Sequence, residues 1–153
     1  MSVLSIHSDE HFMKQALREA EKALEEKEIP VGAVVVANNR IIAKAYNQVQ
    51  RLNDVTAHAE MLAITSAQNY LGSKYLDQCS LFVTLEPCVM CGGALYWSQI
   101  ERVVIGARDE KRGFTHVSKD ILHPKTAVSF GLLEHESGML VSDFFKKMRG
   151  NNF

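Results

Sequence analysis

Two short segments of this sequence carry side chains that can bind a metal ion and move protons. The first is HAE, residues 58–60, and the second is PCVMC, residues 87–91. One imidazole and two thiolates are the nitrogen and sulfur ligands that zinc prefers. Three protein ligands are typical of a catalytic zinc ion, which keeps its fourth position for a water molecule that ionises near neutral pH. The segments therefore predict a zinc site formed by His58, Cys88 and Cys91, with Glu60 placed to move protons between that water and a substrate.

The second segment is predicted to lie between a strand and a helix. The run Ser80–Thr84 has the composition of a strand, and the apolar residues Gly92–Trp97 are typical of a helix. Pro87 suits the first helical turn, where its missing N–H would be unpaired anyway. Cys88 and Cys91 are three apart and would share one face near the positive end of that helix, where thiolate is favoured over thiol.

The first segment places a condition on its own helix. Residues two apart on a regular helix point in different directions, so His58 and Glu60 can converge only if His58 precedes the first turn. We therefore expect residues 56–58 to lead into the helix. Finding His58 in the middle of the helix would contradict the assignment.

The rest of the chain predicts one α/β domain spanning residues 1–153, with a sheet covered on both faces. Ser8 or Asp9 can cap the first helix, and Asn38 and Asn39 form the turn of a hairpin. Residues 108–131 are mixed and charged, and they predict no regular element. In chain order, we predict a helix over 9–27, strands over 31–37 and 40–46, a helix over 58–70, a strand over 81–85, a helix over 88–97, a strand over 102–107 and a helix over 136–148.

Composition narrows the class of protein. The 153 residues are 46% apolar and 23% charged, which is typical of a globular domain. With a formal net charge of -1, the chain lacks the overall positive charge of many nucleic-acid-binding proteins, although a local basic patch is compatible with this value. An odd number of cysteines, two of them in C-x-x-C, favours metal or redox use in a reducing compartment. No apolar run has the length of a signal peptide or a membrane span, so we expect a cytoplasmic protein without a membrane partner.

Each segment alone would allow other interpretations. H-x-E triplets are often accidental, and C-x-x-C could be a redox pair or half of a structural zinc site. Cys79 could complete a four-ligand site, but it precedes the predicted strand and Cys88 follows it, a separation of roughly 17–20 Å. We therefore expect Cys79 to be a buried apolar residue and Glu86 to make structural hydrogen bonds. No ligand role is expected for His7, His11, His116, His123 or His135.

The combined pattern H-x-E and P-C-x-x-C resembles the signature of zinc-dependent nucleobase deaminases. Within that group, the segments IPVGAVVV, NNR, TAHAE, LFVTLEPCVMCGGA, RVVIGARDEKRG and SDFFKKMR resemble the bacterial tRNA adenosine deaminases, from about Glu10 to Arg149. The resemblance implies a cytidine-deaminase-like three-layer sandwich, in which a mixed five-stranded sheet has helices on both faces. It further implies one zinc ion per subunit with water or hydroxide as the fourth ligand. The implied partners are a second copy of the chain and the anticodon stem-loop of tRNA.

The resemblance also implies roles for individual residues. Asn47 matches the asparagine that hydrogen-bonds the substrate nucleoside, and Ile29 matches an apolar residue that packs on the flipped base. Asp109 matches a residue that meets the nucleotide flanking the target. Val31 and the backbone around Ala59 and Pro87 match the lining of the same pocket. The matched zinc ligands and proton shuttle are His58, Cys88, Cys91 and Glu60.

Departures from the family pattern bear on the substrate. Val55 stands where a proline is common, Ser137 and Gly138 replace a Glu-Cys pair, and residues 115–131 differ from the usual segment. A second hypothesis is therefore deamination of a free nucleobase or nucleoside of the cytosine or guanine type. A third is a non-catalytic module in which zinc has four protein ligands. The first hypothesis, which the resemblance implies, is hydrolytic deamination of adenosine to inosine at the wobble position of tRNA. Under it, residues 94–97 are expected at a dimer interface, and phosphate contacts are expected from Lys111, Arg112, Lys119, Lys125, Lys146, Lys147 and Arg149.

Overall fold

A five-stranded sheet forms the centre of the protein in the computed structural model, which describes residues 7–150. Its strands are β1 (Gly32–Ala37), β2 (Arg40–Tyr46), β3 (Cys79–Leu85), β4 (Arg102–Ala107) and β5 (Ala127–Phe130). The helices are α1 (Asp9–Glu25), α2 (Val49–Leu52), α3 (Ala59–Leu71), α4 (Val89–Ser98) and α5 (Glu134–Arg149), with a 3-10 helix over Phe114–His116.

The sheet is mixed, with the strand order β2-β1-β3-β4-β5. Strand β1 is antiparallel to both β2 and β3, whereas β3, β4 and β5 run parallel. The β1–β2 hairpin turns through Asn38 and Asn39, which both adopt positive φ angles of 50° and 61°. Two left-handed residues give a turn whose twist matches that of the strands, which explains the pair of asparagines.

The core has two parts, one on each face of the sheet. Helices α1 and α5 cover one face, where Phe12 and Met13 pack against Phe82. Helices α3 and α4 cover the other face, where Ala63 and Leu95 belong to the larger cluster of buried residues. The chain therefore forms three layers, with helices on both sides of the sheet.

Local interactions fix where α1 begins and how closely it approaches the sheet. The Ser8 side chain accepts a hydrogen bond of 3.1 Å from the backbone N–H of His11, so Ser8 is the N-cap. A Cβ at Gly32 would lie 2.0 Å from the Ala16 carbonyl oxygen of α1. Glycine is therefore required at the start of β1 by the closeness of the helix.

Several sequence predictions need correction. The prediction of no regular element over residues 108–131 is wrong, since this stretch holds the 3-10 helix and β5. Residues 49–52, for which no element is predicted, form the short helix α2. Strand β3 begins at Cys79, two residues earlier than predicted. The other predicted elements are present, with ends that differ by one or two residues. Within residues 7–150, no helix is both long and apolar enough to cross a bilayer.

Candidate metal centre and adjoining pocket

His58 occupies the N-cap of α3, as the sequence predicts. Its backbone is extended (φ -73°, ψ 154°), and the helix begins at Ala59. Its N–H donates to the Thr56 carbonyl oxygen at 2.8 Å, which holds the preceding turn. Because His58 is not yet helical, its imidazole and the Glu60 carboxylate can face the same side.

The two cysteines lie at the start of α4. Cys88 is the N-cap, with an extended backbone (φ -74°, ψ 176°), and Cys91 lies in the first turn. Pro87 precedes the N-cap, so its predicted position inside the first turn is wrong. The three metal-ligand candidates therefore come from the N-termini of two helices, and the positive ends of both helices favour negative charge between them.

The distances among the three side chains suit a zinc ion. The Nδ1 atom of His58 lies 3.6 Å from the Cys88 Sγ and 3.5 Å from the Cys91 Sγ. Tetrahedral zinc with ordinary Zn–N and Zn–S bonds places nitrogen and sulfur roughly 3.5 Å apart. Nδ1 is therefore the ring nitrogen that faces the metal position. Among residues 7–150, these three residues form the group that could hold a metal, and buried Cys79 is not part of it.

Hydrogen bonds within the group shift its acidities. The hydrogen bond between the two sulfur atoms lowers the pKa of Cys88 to about 4 and raises the pKa of Cys91. The hydrogen bond with Cys88 raises the pKa of His58. One sulfur is thus readily ionised, which is the form that binds metal.

Glu60 lies beside this group in the first turn of α3. Glu60 is 4% exposed, and burial raises the pKa of its carboxyl to about 7. A carboxyl group with a pKa near neutrality can both take up and release a proton at physiological pH. The position and acidity of Glu60 suit a general acid and base.

A cavity of about 590 Å³ opens beside the metal-ligand group. Most of the pocket residues predicted from the sequence line it, together with His58, Glu60 and Cys88. Pro87 is buried and is not among the lining residues, although both its chain neighbours are. The predicted residues that do line the cavity are Ile29, Val31, Asn47, Ala59 and Asp109.

Asn47 stands out within the pocket because of its side-chain oxygen. The residue follows β2, and its backbone N–H donates to the Val31 carbonyl oxygen at 3.1 Å. Asn47 is 6% exposed, and its Oδ1 has no hydrogen-bond partner. An unpaired buried oxygen is costly, and one that lines a pocket is available to a ligand that donates a hydrogen bond.

Two buried carboxylates support the rim of the pocket. Glu28 accepts hydrogen bonds from the backbone N–H groups of Gln50 at 3.1 Å and Arg51 at 2.8 Å, and so fixes the segment that follows Asn47. Glu86 accepts from the backbone of Asp109 and from Thr115, as expected of a residue that makes structural hydrogen bonds. The role of Glu28 was not predicted, because its partners lie more than twenty residues away.

The carboxyl end of α5 closes one side of the pocket with apolar side chains. Phe145 is 40% exposed and Met148 is 51% exposed, and both line the cavity with Phe144. The sequence indicated only a helix here. All the basic residues predicted to contact phosphate are exposed, and Arg112 lines the pocket.

Comparison with known sequences identifies relatives over most of the chain. A family model for the cytidine and deoxycytidylate deaminase zinc-binding region matches residues 6–107. The tRNA-specific adenosine deaminase of Aquifex aeolicus is 48% identical over 147 residues, covering 93% of this chain and 97% of that protein. The tRNA-specific adenosine deaminase of Bacillus subtilis is 45% identical over 147 residues, with coverages of 92% and 91%.

Solved structures with a similar fold include two kinds of deaminase. A structure from a study of A-to-I editing by tRNA:A34 deaminases at the wobble position has a TM-score of 0.79 and 42% identity, covering 85% of this chain and 98% of that one. The guanine deaminase from Nitrosomonas europaea has a TM-score of 0.77 and 27% identity, with coverages of 94% and 86%. The predicted cytidine-deaminase-like fold is confirmed.

Proposed function

We propose that this chain deaminates adenosine to inosine, by hydrolysis, at the wobble position of tRNA. The chain belongs to the zinc-binding cytidine and deoxycytidylate deaminase family. The similarity to tRNA-specific adenosine deaminases extends over nearly their whole length. One observation carries the proposal: Asn47, whose side-chain oxygen has no partner, lines the same cavity as His58, Cys88 and Glu60. The reaction consumes water and releases ammonia.

The metal in this proposal is one zinc ion per subunit, held by His58, Cys88 and Cys91. When bound there, a zinc ion would supply an ionised water as the nucleophile. The chain supplies an electropositive setting for this chemistry, because α3 and α4 both point their N-termini at the metal position. Burial of Cys91 excludes bulk water from the far side of the group.

Glu60 moves the protons. Its carboxylate takes the first proton from the attacking water and passes it to N1 of the adenine ring. It then takes the second proton from the hydroxyl group formed at C6 and gives it to the amine, which leaves as ammonia. These transfers need a group that gains and loses a proton at neutral pH, and the raised pKa of the buried Glu60 carboxyl meets that need.

The remaining pocket residues bind the nucleoside. The Asn47 Oδ1 accepts a hydrogen bond from the substrate, and Ile29 and Val31 pack against the flipped base. The backbone at Ala59 contributes to the floor, and the carboxylate of Asp109 meets the flanking nucleotide. Pro87 acts by shaping the segment between Glu86 and Cys88 rather than by touching the base.

RNA binding is expected to depend on exposed basic side chains. Arg112 lies at the pocket, and the end of α5 carries three further cations. Each phosphate contact releases counterions, so the affinity for an anticodon stem-loop should fall linearly with salt on a double-logarithmic plot. An affinity that salt leaves unchanged would contradict this part of the proposal.

We further propose that the protein is a single domain and is cytoplasmic. We also propose that it forms a homodimer, with the groove between α3 and α4 at the interface. Trp97 on α4 is 76% exposed, and it lines this groove with Met61, Ile64 and Tyr75. An exposed apolar patch of this kind is typical of a protein–protein contact. Sedimentation should show a dimer at micromolar concentration and a monomer for Trp97→Lys; a monomeric native protein would refute the dimer.

Deamination of a free nucleobase remains the alternative function. The structural likeness to a guanine deaminase and the net charge of -1 favour it. The greater identity to tRNA-specific enzymes over nearly the whole chain counts against it. A non-catalytic zinc module would need a fourth protein ligand, and residues 7–150 offer three in the group.

The proposed function is tested with the zinc-loaded protein and an anticodon stem-loop carrying adenosine at the wobble position. Mass spectrometry of the RNA should show replacement of one amino group by oxygen, and nuclease mapping should place inosine at the wobble nucleotide. A matched stem-loop with the adenosine moved one position along the loop should remain unchanged. Deamination of both stem-loops would contradict wobble specificity.

A further inference from the structure

The loop that follows β4 forms part of the pocket rim. Asp109 and Arg112 both line the cavity. The Asp109 Oδ1 accepts hydrogen bonds from the backbone N–H groups of Lys111 at 3.0 Å and Arg112 at 2.9 Å, which makes the loop compact. The orientation of the whole loop relative to the metal-ligand group then depends on what anchors its two ends.

Both ends of this loop are anchored on one buried carboxylate. Glu86, which is 3% exposed, accepts from the Asp109 N–H through Oε1 at 3.2 Å. Its Oε2 accepts from the Thr115 N–H at 3.0 Å and from the Thr115 hydroxyl at 2.6 Å. Both oxygens are therefore engaged with the loop, which leaves Glu86 unsuited to a second proton-transfer role.

Glu86 also belongs to the segment that leads into the metal-binding helix. Its backbone N–H donates to the Ala107 carbonyl oxygen at 2.8 Å, and the carbonyl oxygen of the next residue, Pro87, accepts from the Phe114 N–H at 2.9 Å. Cys88 follows directly. Hydrogen bonds accepted by Glu86 and Pro87 thus reach both ends of the rim loop, and the next residue in the chain is the proposed zinc ligand Cys88.

Gly113 supplies independent evidence that the loop is fitted to this carboxylate. A Cβ at this position would lie 2.2 Å from the Glu86 Cδ and 2.3 Å and 2.5 Å from its two oxygens. The backbone of Gly113 (φ -61°, ψ 143°) is one that any residue can adopt. Glycine is therefore required for space above Glu86 rather than for backbone freedom.

We infer that Glu86 is a positioning residue that holds the rim loop, residues 109–115, against the metal-binding segment and so sets the affinity for the RNA around the target adenosine. The inference rests on the proposed function, since Asp109 and Arg112 are the groups that the loop presents to the substrate. Glu86 acts through these residues and takes no part in the chemical step.

The first test is Glu86→Gln, which keeps the side-chain size but replaces one oxygen by an amide donor. The donor must face a backbone N–H or the Thr115 hydroxyl, and the loop loses part of its anchor. We expect KM for the stem-loop to rise about fivefold or more, with kcat and zinc content close to those of the native protein. A fall in kcat at unchanged KM, or loss of zinc, would overturn the positioning role.

The second test uses the contact between Gly113 and Glu86. Gly113→Ala should raise KM as Glu86→Gln does, because the new methyl group displaces the carboxylate. In a Glu86→Ala background, which removes that carboxylate, adding Gly113→Ala should cause little further change. Additive effects of the two substitutions would overturn the inference. Gly138→Ala is the matched control, because its Cβ would meet its nearest neighbour at an ordinary 3.9 Å.

Thermal unfolding of the native protein, Gly113→Ala, Glu86→Ala and the double variant separates this inference from the proposed function. If the native protein leaves the stem-loop unchanged, the proposed function fails. The midpoint temperatures still report whether Gly113→Ala destabilises the native chain and not the Glu86→Ala chain. Equal destabilisation in both backgrounds would refute the anchor, whatever the substrate.

Discussion

Asn47→Leu should separate the stability of the free protein from its activity. Leucine keeps a branched side chain of similar size and removes the buried Oδ1, which has no partner in the free protein. In the substrate complex, the same change leaves a hydrogen-bond donor of the nucleoside facing an apolar group. The substitution should therefore relieve a cost in the free protein and create one in the complex.

The size of both effects follows from the price of an unpaired buried polar group, about 1–3 kcal/mol. In the complex, this corresponds to a loss of about 5- to 160-fold in kcat/KM. In the free protein, removing the unpaired oxygen should leave the unfolding midpoint Tm no lower than that of the native chain, since each kcal/mol corresponds to about 2–4 °C for a domain of this size.

The assay combines initial rates on the wobble-adenosine stem-loop with thermal unfolding. Ser137→Ala is the matched control, because Ser137 Oγ is also buried without a partner and Ser137 does not line the pocket. We expect this control to keep native kcat/KM and a Tm that is not lowered. Full activity of Asn47→Leu would refute the substrate contact, and a loss of activity explained by a lower Tm would refute the reasoning on stability.

Four further substitutions test the proton shuttle, the metal ligands and the rim. Glu60→Gln should retain zinc and bind the stem-loop but lower kcat by about 100- to 10,000-fold, as measured by single-turnover kinetics. Cys79→Ala should keep one zinc per chain with a stability loss of about 1 kcal/mol, whereas Cys88→Ala should lose zinc, as measured by metal analysis. Glu28→Gln should cost about 1–3 kcal/mol in chemical unfolding, because one backbone N–H of α2 loses its acceptor.

Each of these predictions has a distinct contrary result. Substantial turnover by Glu60→Gln would exclude it as the proton shuttle. Loss of zinc from Cys79→Ala would restore the four-ligand interpretation. Native stability of Glu28→Gln would mean that the bonds to Gln50 and Arg51 contribute nothing net.

The arrangement of the metal-ligand group could be predicted because it follows from local rules. Residues two apart on a helix diverge, so His58 had to be the N-cap for Glu60 to face the same side, and the structure places it there. The spacing of Cys88 and Cys91 likewise fixed them to one helical turn. Pro87 was misplaced by a short distance, because Cys88 itself is the N-cap and the helix begins one residue later.

Features that depend on distant contacts could not be predicted from the pattern. Strand β5 has three exposed residues in four and lacks the alternation that marks a strand; it is defined by parallel pairing with β4. Phe145 and Met148 belong to the last predicted helix, but their place in the pocket depends on how α5 packs. The partners of Glu28 are more than twenty residues away in the sequence, so rules based on local spacing could not predict these hydrogen bonds.

The most direct test of the account compares substrates on one zinc-loaded preparation. Values of kcat/KM would be measured for the wobble-adenosine stem-loop and for free adenosine, cytidine, cytosine and guanine. The proposed function predicts that the stem-loop is converted to its inosine form while the free bases and nucleosides are left unchanged. Turnover of a free base or nucleoside, with the stem-loop untouched, would contradict it and assign the pocket to a small molecule.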